Sequence, residues 1–238
     1  MKKLLFIILL TPILLKAQSE KALDFYSKGV AKFYSQSYEE AIELFTTAIS
    51  LDSDFQIALF NRGQANVYIK SYEAAIKDFD QVLALDSSYI DAYKEKAECL
   101  VKTKDYEGAI TTLFKQIAFN PNVSEPYKLL GLCYYYKRKY TLAEECYSKY
   151  LSSNPKDVEA WFQKGLSNYY YADYEKAIGD FSEVFLLNEN YTSALEWRGI
   201  CHQKANLIRK ACKDWQLAVD KGLSSSQEYI DRYCGESE

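Results

Sequence analysis

The hexapeptide SYEEAI occupies Ser37 to Ile42, SYEAAI occupies Ser71 to Ile76, DYEGAI occupies Asp105 to Ile110 and DYEKAI occupies Asp173 to Ile178. The first three begin 34 residues apart and the fourth begins 68 residues further on, so one interval governs them all. Working outward, four ladders keep the same step. Small residues stand at Gly29, Gly63, Ala97, Gly131, Gly165 and Gly199. Alanines stand at Ala41, Ala75, Ala109, Ala143, Ala177 and Ala211. Bulky residues fill Phe45, Phe79, Leu113, Tyr147, Phe181 and Trp215, and a fourth ladder runs Tyr38, Tyr72, Tyr106, Tyr140, Tyr174, Ile208. No insertion breaks the phase, which marks a stack of identical supersecondary units.

Each unit reads as two helices. Phe25, Gly29 and Phe33 share one face, and Ala41, Phe45, Ala48 and Ile49 follow the i, i+4, i+7, i+8 spacing of a second helix. Ser35 to Ser37 is the polar break of a helical hairpin. The second helix ends at Asp52, Asp86, Asn120, Asn154 and Asn188, with Pro121 and Pro155 next in line, where a continuing helix would lose a hydrogen bond. Gly29 and Ala41 are expected to let the two helices approach, and Phe45 to fill the gap against the next hairpin. A single hairpin cannot bury its apolar face, so the units must stack.

On these ladders the chain resembles the tetratricopeptide repeat (TPR) family over about 22–223. The residue four positions ahead of the small ladder is aromatic or Leu (Phe25, Leu59, Tyr93, Tyr127, Trp161, Leu195), as in that family. The resemblance implies an all-α, right-handed α-solenoid of six hairpins, at 22–55, 56–89, 90–123, 124–157, 158–191 and 192–223, with a capping helix and tail at 224–238. Lys28, Arg62, Lys96 and Lys164 depart from the family's preference for Leu, and their stems are expected to pack while the charges reach water. In the last unit Gly222 suits a left-handed helix end, and SSQE (Ser225 to Glu228) reads as a capping box for a helix carrying Tyr229, Ile230, Tyr233 and Cys234 on one face.

Composition agrees. Apolar residues reach 48% and aromatics 16%, with 22 tyrosines but only 9 glycines and 4 prolines, which favours helices over a many-turned β fold. The net charge is −4, and without Lys2, Lys3 and Lys16 the balance is 26 basic against 33 acidic residues. An acidic chain without a basic stripe is a poor nucleic-acid ligand. Residues 1–17 have the layout of a secretory signal peptide: two lysines, a twelve-residue apolar stretch from Leu4 to Leu15, then Ala17. That stretch spans roughly 18 Å as a helix, short of a ~30 Å hydrocarbon layer. Cleavage after Ala17 is expected, with export to a periplasm or cell envelope and only indirect membrane contact, if any.

In TPR arrays the first helices line a concave groove, and the resemblance places Tyr26, Phe33, Tyr34, Phe60, Tyr68, Lys102, Tyr135, Tyr136, Phe162, Tyr169, Tyr170 and Lys204 there. Two aromatic stretches result, separated by a charged third unit. They suit an extended peptide or a helix of another protein, since Tyr offers large contact area with few rotors. The same rings could instead stack on one another and complete the wall. Val30 and Leu132 occupy sites that chaperone-tail binders of this family fill with Asn, which disfavours that ligand.

Of six cysteines, Cys99, Cys133 and Cys201 sit two residues past the small ladder and read as core, and none forms a C-x-x-C pair. Cys212 and Cys234 could bridge the last repeat helix to the cap in an oxidising compartment, closing a loop of about 20 residues worth about 3 kcal/mol. His202 is a lone histidine, and no nucleophile, metal, phosphate or dinucleotide motif is present, so no cofactor, metal or catalytic residue is expected. The resulting expectation is a non-catalytic scaffold of the bacterial envelope that binds another protein. A structural subunit of an envelope assembly, or a glycan or small-ligand sensor using the tyrosines, are the alternatives.

Overall fold

The structure is a computed structural model that describes residues 2–235, with side chains from residue 18 onward. All regular structure among the described residues is helical, in two units, Met1–Pro121 and Asn122–Glu238. The first unit holds three hairpins: α1 (Lys2–Tyr34) with α2 (Tyr38–Leu51), α3 (Gln56–Tyr68) with α4 (Tyr72–Leu85), and α5 (Ile90–Lys102) with α6 (Tyr106–Phe119). The second holds α7 (Glu125–Tyr136) with α8 (Tyr140–Ser153), α9 (Val158–Tyr170) with α10 (Tyr174–Leu187), and α11 (Thr192–Lys204) with α12 (Ile208–Asp220). A 3-10 turn (Ser224–Ser226) and α13 (Gln227–Tyr233) follow. The second helices start at 38, 72, 106, 140, 174 and 208, so the 34-residue phase survives in three dimensions. The fold is a TPR solenoid. The backbone of α1 runs without interruption from the leader-like stretch into the first repeat, and the side chains of residues 2–17 lie outside the description. No helix among the described residues is long and apolar enough to cross a membrane.

One backbone device makes every hairpin. Gln36, Lys70, Lys104, Arg138, Ala172 and Asn206 adopt positive φ, between 57° and 68°. The next amide then reaches back five residues: Ser37 to the Lys32 carbonyl, Ser71 to Asn66, Asp105 to Leu100, Lys139 to Tyr134, Asp173 to Asn168 and Leu207 to His202, all at 2.8–2.9 Å. This is the left-handed helix end that glycine usually supplies, built here without glycine. Gly222 repeats it after α12, with φ 95° and the Leu223 amide on the Ala218 carbonyl at 2.9 Å.

Packing explains the ladders. A Cβ placed on Gly165 would lie 2.8 Å from the Phe181 ring, and one on Gly131 would lie 2.8 Å from the Tyr147 ring. The bulky ladder residue therefore seats first on the small residue of its own hairpin, and filling the seam to the next is a second role. The third hairpin carries Ala97, and there the opposing residue is the smaller Leu113. Neighbouring hairpins complete each core. Leu59, Phe60, Ala75, Phe79 and Val82 cluster with Ala92 and Cys99 of the next hairpin, and Phe162, Leu166, Ala177, Phe181 and Val184 cluster with Ala194 and Cys201. Six members of the two clusters correspond at an offset of 102 residues, so each unit repeats the other's core.

Candidate interaction surface

The last turn of each first helix and the first residue of each second helix meet at the hairpin bend, and aromatic residues gather there. In the first unit Tyr38 stacks on Tyr68 with centroids 4.5 Å apart and planes 3° from parallel, while Phe33 meets Tyr34, Tyr38 and Tyr68 edge-on at 6.0, 5.5 and 5.5 Å. In the second unit Tyr140 stacks on Tyr170 at 5.6 Å, and Tyr135 meets Tyr136, Tyr140 and Tyr170 edge-on at 5.6, 5.9 and 5.8 Å. The two clusters match ring for ring at the same 102-residue offset. Each leaves two rings open: Tyr34 is 81% exposed and Tyr68 58%, Tyr136 54% and Tyr170 48%. The rings thus brace one another and still present area to solvent.

Other expected groove residues divide. Tyr169 joins the second cluster, edge-on to Tyr170 at 5.2 Å and to Trp197 at 5.1 Å. Tyr26 is half-buried against Phe45 and Phe55, and its hydroxyl accepts from Asn61 Nδ2 at 3.1 Å. Lys102 and Lys204 are exposed at the ends of α5 and α11. Phe60 and Phe162, at 8% and 9% exposure, belong to the cores instead. Phe60 packs on Phe79 and Tyr89, and Phe162 on Phe181 and Tyr191, because the aromatic residue ahead of the following hairpin closes over them.

A polar feature escaped the sequence reading. The cation directly before the small ladder was expected to send its charge to water, as Lys28 does, pairing with exposed Asp24. Arg62 instead turns inward. Its Nε and Nη2 donate to Asp78 at 2.6–3.2 Å, its Nη1 donates to Thr46 of the preceding hairpin at 3.1 Å, and Asn66 Nδ2 adds a bond to Asp78 at 3.2 Å. Lys164 sits between Asp180 at 3.2 Å and Glu144 of the preceding hairpin at 3.7 Å, with Asn168 donating to Asp180 at 2.6 Å. Arg198 holds Asp214 at 2.6 and 2.9 Å and Ser182 at 3.2 Å, and His202 takes the place of the Asn, 3.6 Å from Asp214. Each cation thus ties two hairpins together. A buried aspartate left without its cation is expected to cost about 3–5 kcal/mol. Burial raises the Asp180 carboxyl against the pull of Lys164, and burial lowers the His202 imidazole despite Asp214. The spacing of cation, Asn or His four residues on, and Asp twelve beyond that, was the signal available in the sequence.

At the C-terminus Cys212 and Cys234 are joined by a disulfide. The buried Trp215 is covered by Tyr229 and Tyr233, stacked at 5.1 and 5.8 Å. The expected capping box does not form. Ser225 and Ser226 donate their hydroxyls to Glu196 at 2.6 and 2.9 Å, because the 3-10 turn points them back at α11. Cys99, Cys133, Cys146 and Cys201 are buried thiols, with burial pushing Cys99 up to about 12 and Cys146 to about 11. A thiol so raised is a poor nucleophile.

Comparison with known proteins agrees with this architecture. Among solved structures, YrrB superposes with a TM-score of 0.66 at 22% identity, over 75% of this chain and 92% of its own. MamA does so at 0.67 and 17% identity, over 77% and 97%. The C-terminal part of a TPR protein from Cytophaga hutchinsonii reaches 0.77 at 18% identity, over 87% of each chain. At these identities the likeness is one of fold. No curated protein matches the sequence. One model of the tetratricopeptide repeat matches residues 69–133 and another matches 26–90 and 129–184, most of the array. Together with six in-phase hairpins, these matches establish that the chain belongs to the tetratricopeptide repeat family.

Proposed function

We infer that this chain is a non-catalytic scaffold that holds a peptide segment or helix of another protein against its exposed tyrosines, after export to a bacterial cell envelope. The observation that carries the reading is the duplicated ring cluster, with Tyr34 and Tyr68 in one unit and Tyr136 and Tyr170 in the other. Rigid aromatic area of this kind anchors protein interfaces. YrrB, of the same fold, is a TPR protein with an unusual peptide-binding site. Export is supported by the leader-like layout of residues 1–17 and by the Cys212–Cys234 disulfide, which suits an oxidising compartment. The buried, raised thiols and the packed His202 offer no activated group for catalysis.

Photo-reactive residues placed at positions 34 and 136, with Glu183 on α10 as an exposed control, test the proposal in native cells. Discrete cross-linked partners at the tyrosine positions and none at 183 are expected. Equal labelling at all three positions would remove the basis for a tyrosine-centred site. Export is checked by the mass of the mature N-terminus, expected at Gln18.

A further inference from the structure

We propose that the bend edge of the second unit recognises an extended acidic segment with an aromatic or proline centre, a partner class that rests on the tyrosine-docking reading above. The three hairpins stack in phase, so their bends fall in a row. The first bend carries Arg138 and Lys139, the middle one Tyr170 and Tyr171, and just past the third the first turn of α12 carries Arg209 and Lys210. All six are exposed, and none of the four cations has an ion-pair partner among the described residues.

The order along the edge is cation, tyrosine, cation. The first unit has the same ring cluster without this frame: α2, α4 and α6 all begin with glutamate in their first turn, whereas α8 and α12 have no acidic residue there. In a chain of net charge −4, four unpaired cations flanking exposed rings on one edge are a local reversal of the overall charge. At ~8–10 Å between packed helices, the outer bends stand about 20 Å apart, which about six residues of extended chain span.

The middle bend decides between a linear ligand and an anionic surface. Asp173 caps α10 and pairs with Lys176, and Glu175 is exposed beside it. These carboxylates would face a uniformly anionic bilayer across the row, but they tolerate a peptide whose acidic groups lie at its ends and whose neutral centre meets Tyr170 and Tyr171.

The test uses the full chain and fluorescence anisotropy. The probe is a labelled short peptide with two glutamates at each end and a Tyr-Pro-Tyr centre, compared with its glutamine counterpart. The glutamate peptide should bind roughly tenfold more tightly at low salt, from several exposed charge pairs acting together. That preference should shrink as salt rises from about 50 to about 200 mM. The double variants R138E/K139E and R209E/K210E should each lose the preference, while K70E/K104E on the bends of the first unit should keep it, all with unchanged circular dichroism. Equal affinity for both peptides, lost in a Tyr170→Ser/Tyr171→Ser variant, would overturn the acidic preference and leave tyrosine docking standing. Failure of wild type to bind either peptide would overturn the acidic partner, and cross-linking at position 34, which no charge variant touches, then judges docking separately. Binding to phosphatidylglycerol vesicles in place of the peptide would also overturn it.

Discussion

Replacing Gly165 by Ala tests the packing rule directly. The added Cβ would lie 2.8 Å from Phe181 Cε1, 3.0 Å from Cζ and 3.1 Å from Cδ1, against a comfortable carbon contact of about 3.5–4.0 Å. Phe181 is fully buried, so the ring must retreat by roughly 0.7 Å into a filled core, at about 1–3 kcal/mol. The helical Gly-to-Ala change returns about 1 kcal/mol, leaving a net loss of about 1 kcal/mol. The third hairpin supplies the compensating change, since Ala97 there faces Leu113. Adding Phe181→Leu to Gly165→Ala should therefore cost at least about 1 kcal/mol less than the two single changes summed, a coupling expected only of residues in contact. Urea unfolding of the full chain gives the totals, and hydrogen exchange in α9 and α10 shows that the loss is local, as nearest-neighbour stacking requires. A gain of about 1 kcal/mol in Gly165→Ala, the helix-propensity outcome, or additivity of the pair, would refute the reasoning.

Tyr147→Phe should leave the protein as stable or raise it by about 1 kcal/mol in a thermal melt, since the buried hydroxyl has no hydrogen-bond partner among the described residues and three other hairpins use Phe there. His202 is held below its ordinary value of 6.5 by burial, so as pH falls through that value the unfolded chain takes up a proton that the folded chain resists. The sixth hairpin should therefore loosen below about pH 6.5, seen as faster hydrogen exchange in α11 and α12. His202→Asn, the arrangement of Asn66 and Asn168, should flatten that dependence. Cys234→Ser should lower the stability of the cap by up to about 3 kcal/mol and brighten or shift Trp215 emission as Tyr229 and Tyr233 lift away.

The hairpins, their phase and the core ladders were legible because a buried column cannot vary without collapse of the stack. Gly29 and Phe45 announce each other at a fixed distance in every unit. The inward turn of Arg62 and Lys164 was hidden because each cation was read alone, and Arg198 was not singled out at all, whereas the direction of each depends on an aspartate sixteen residues later in the same hairpin. Only three of the six units carry that aspartate, and the others place Leu44, Thr112 and Cys146 there. Phe60 and Phe162 were misplaced because helix periodicity gives the face but not the depth, and the depth is set by Tyr89 and Tyr191 arriving from the following loop. The SSQE motif failed because a carboxylate on another helix, Glu196, competes for both hydroxyls.

The disulfide at the end of the chain also changes what a protease can achieve. Lys221 and Gly222 form an exposed turn between Cys212 and Cys234, the kind of site where proteolytic nicking concentrates. A single cut there severs the polypeptide but frees no fragment, because both sides stay tethered through sulfur. The severed tail remains beside Trp215 at a high effective concentration and can settle back, so the end of the array outlasts its own backbone.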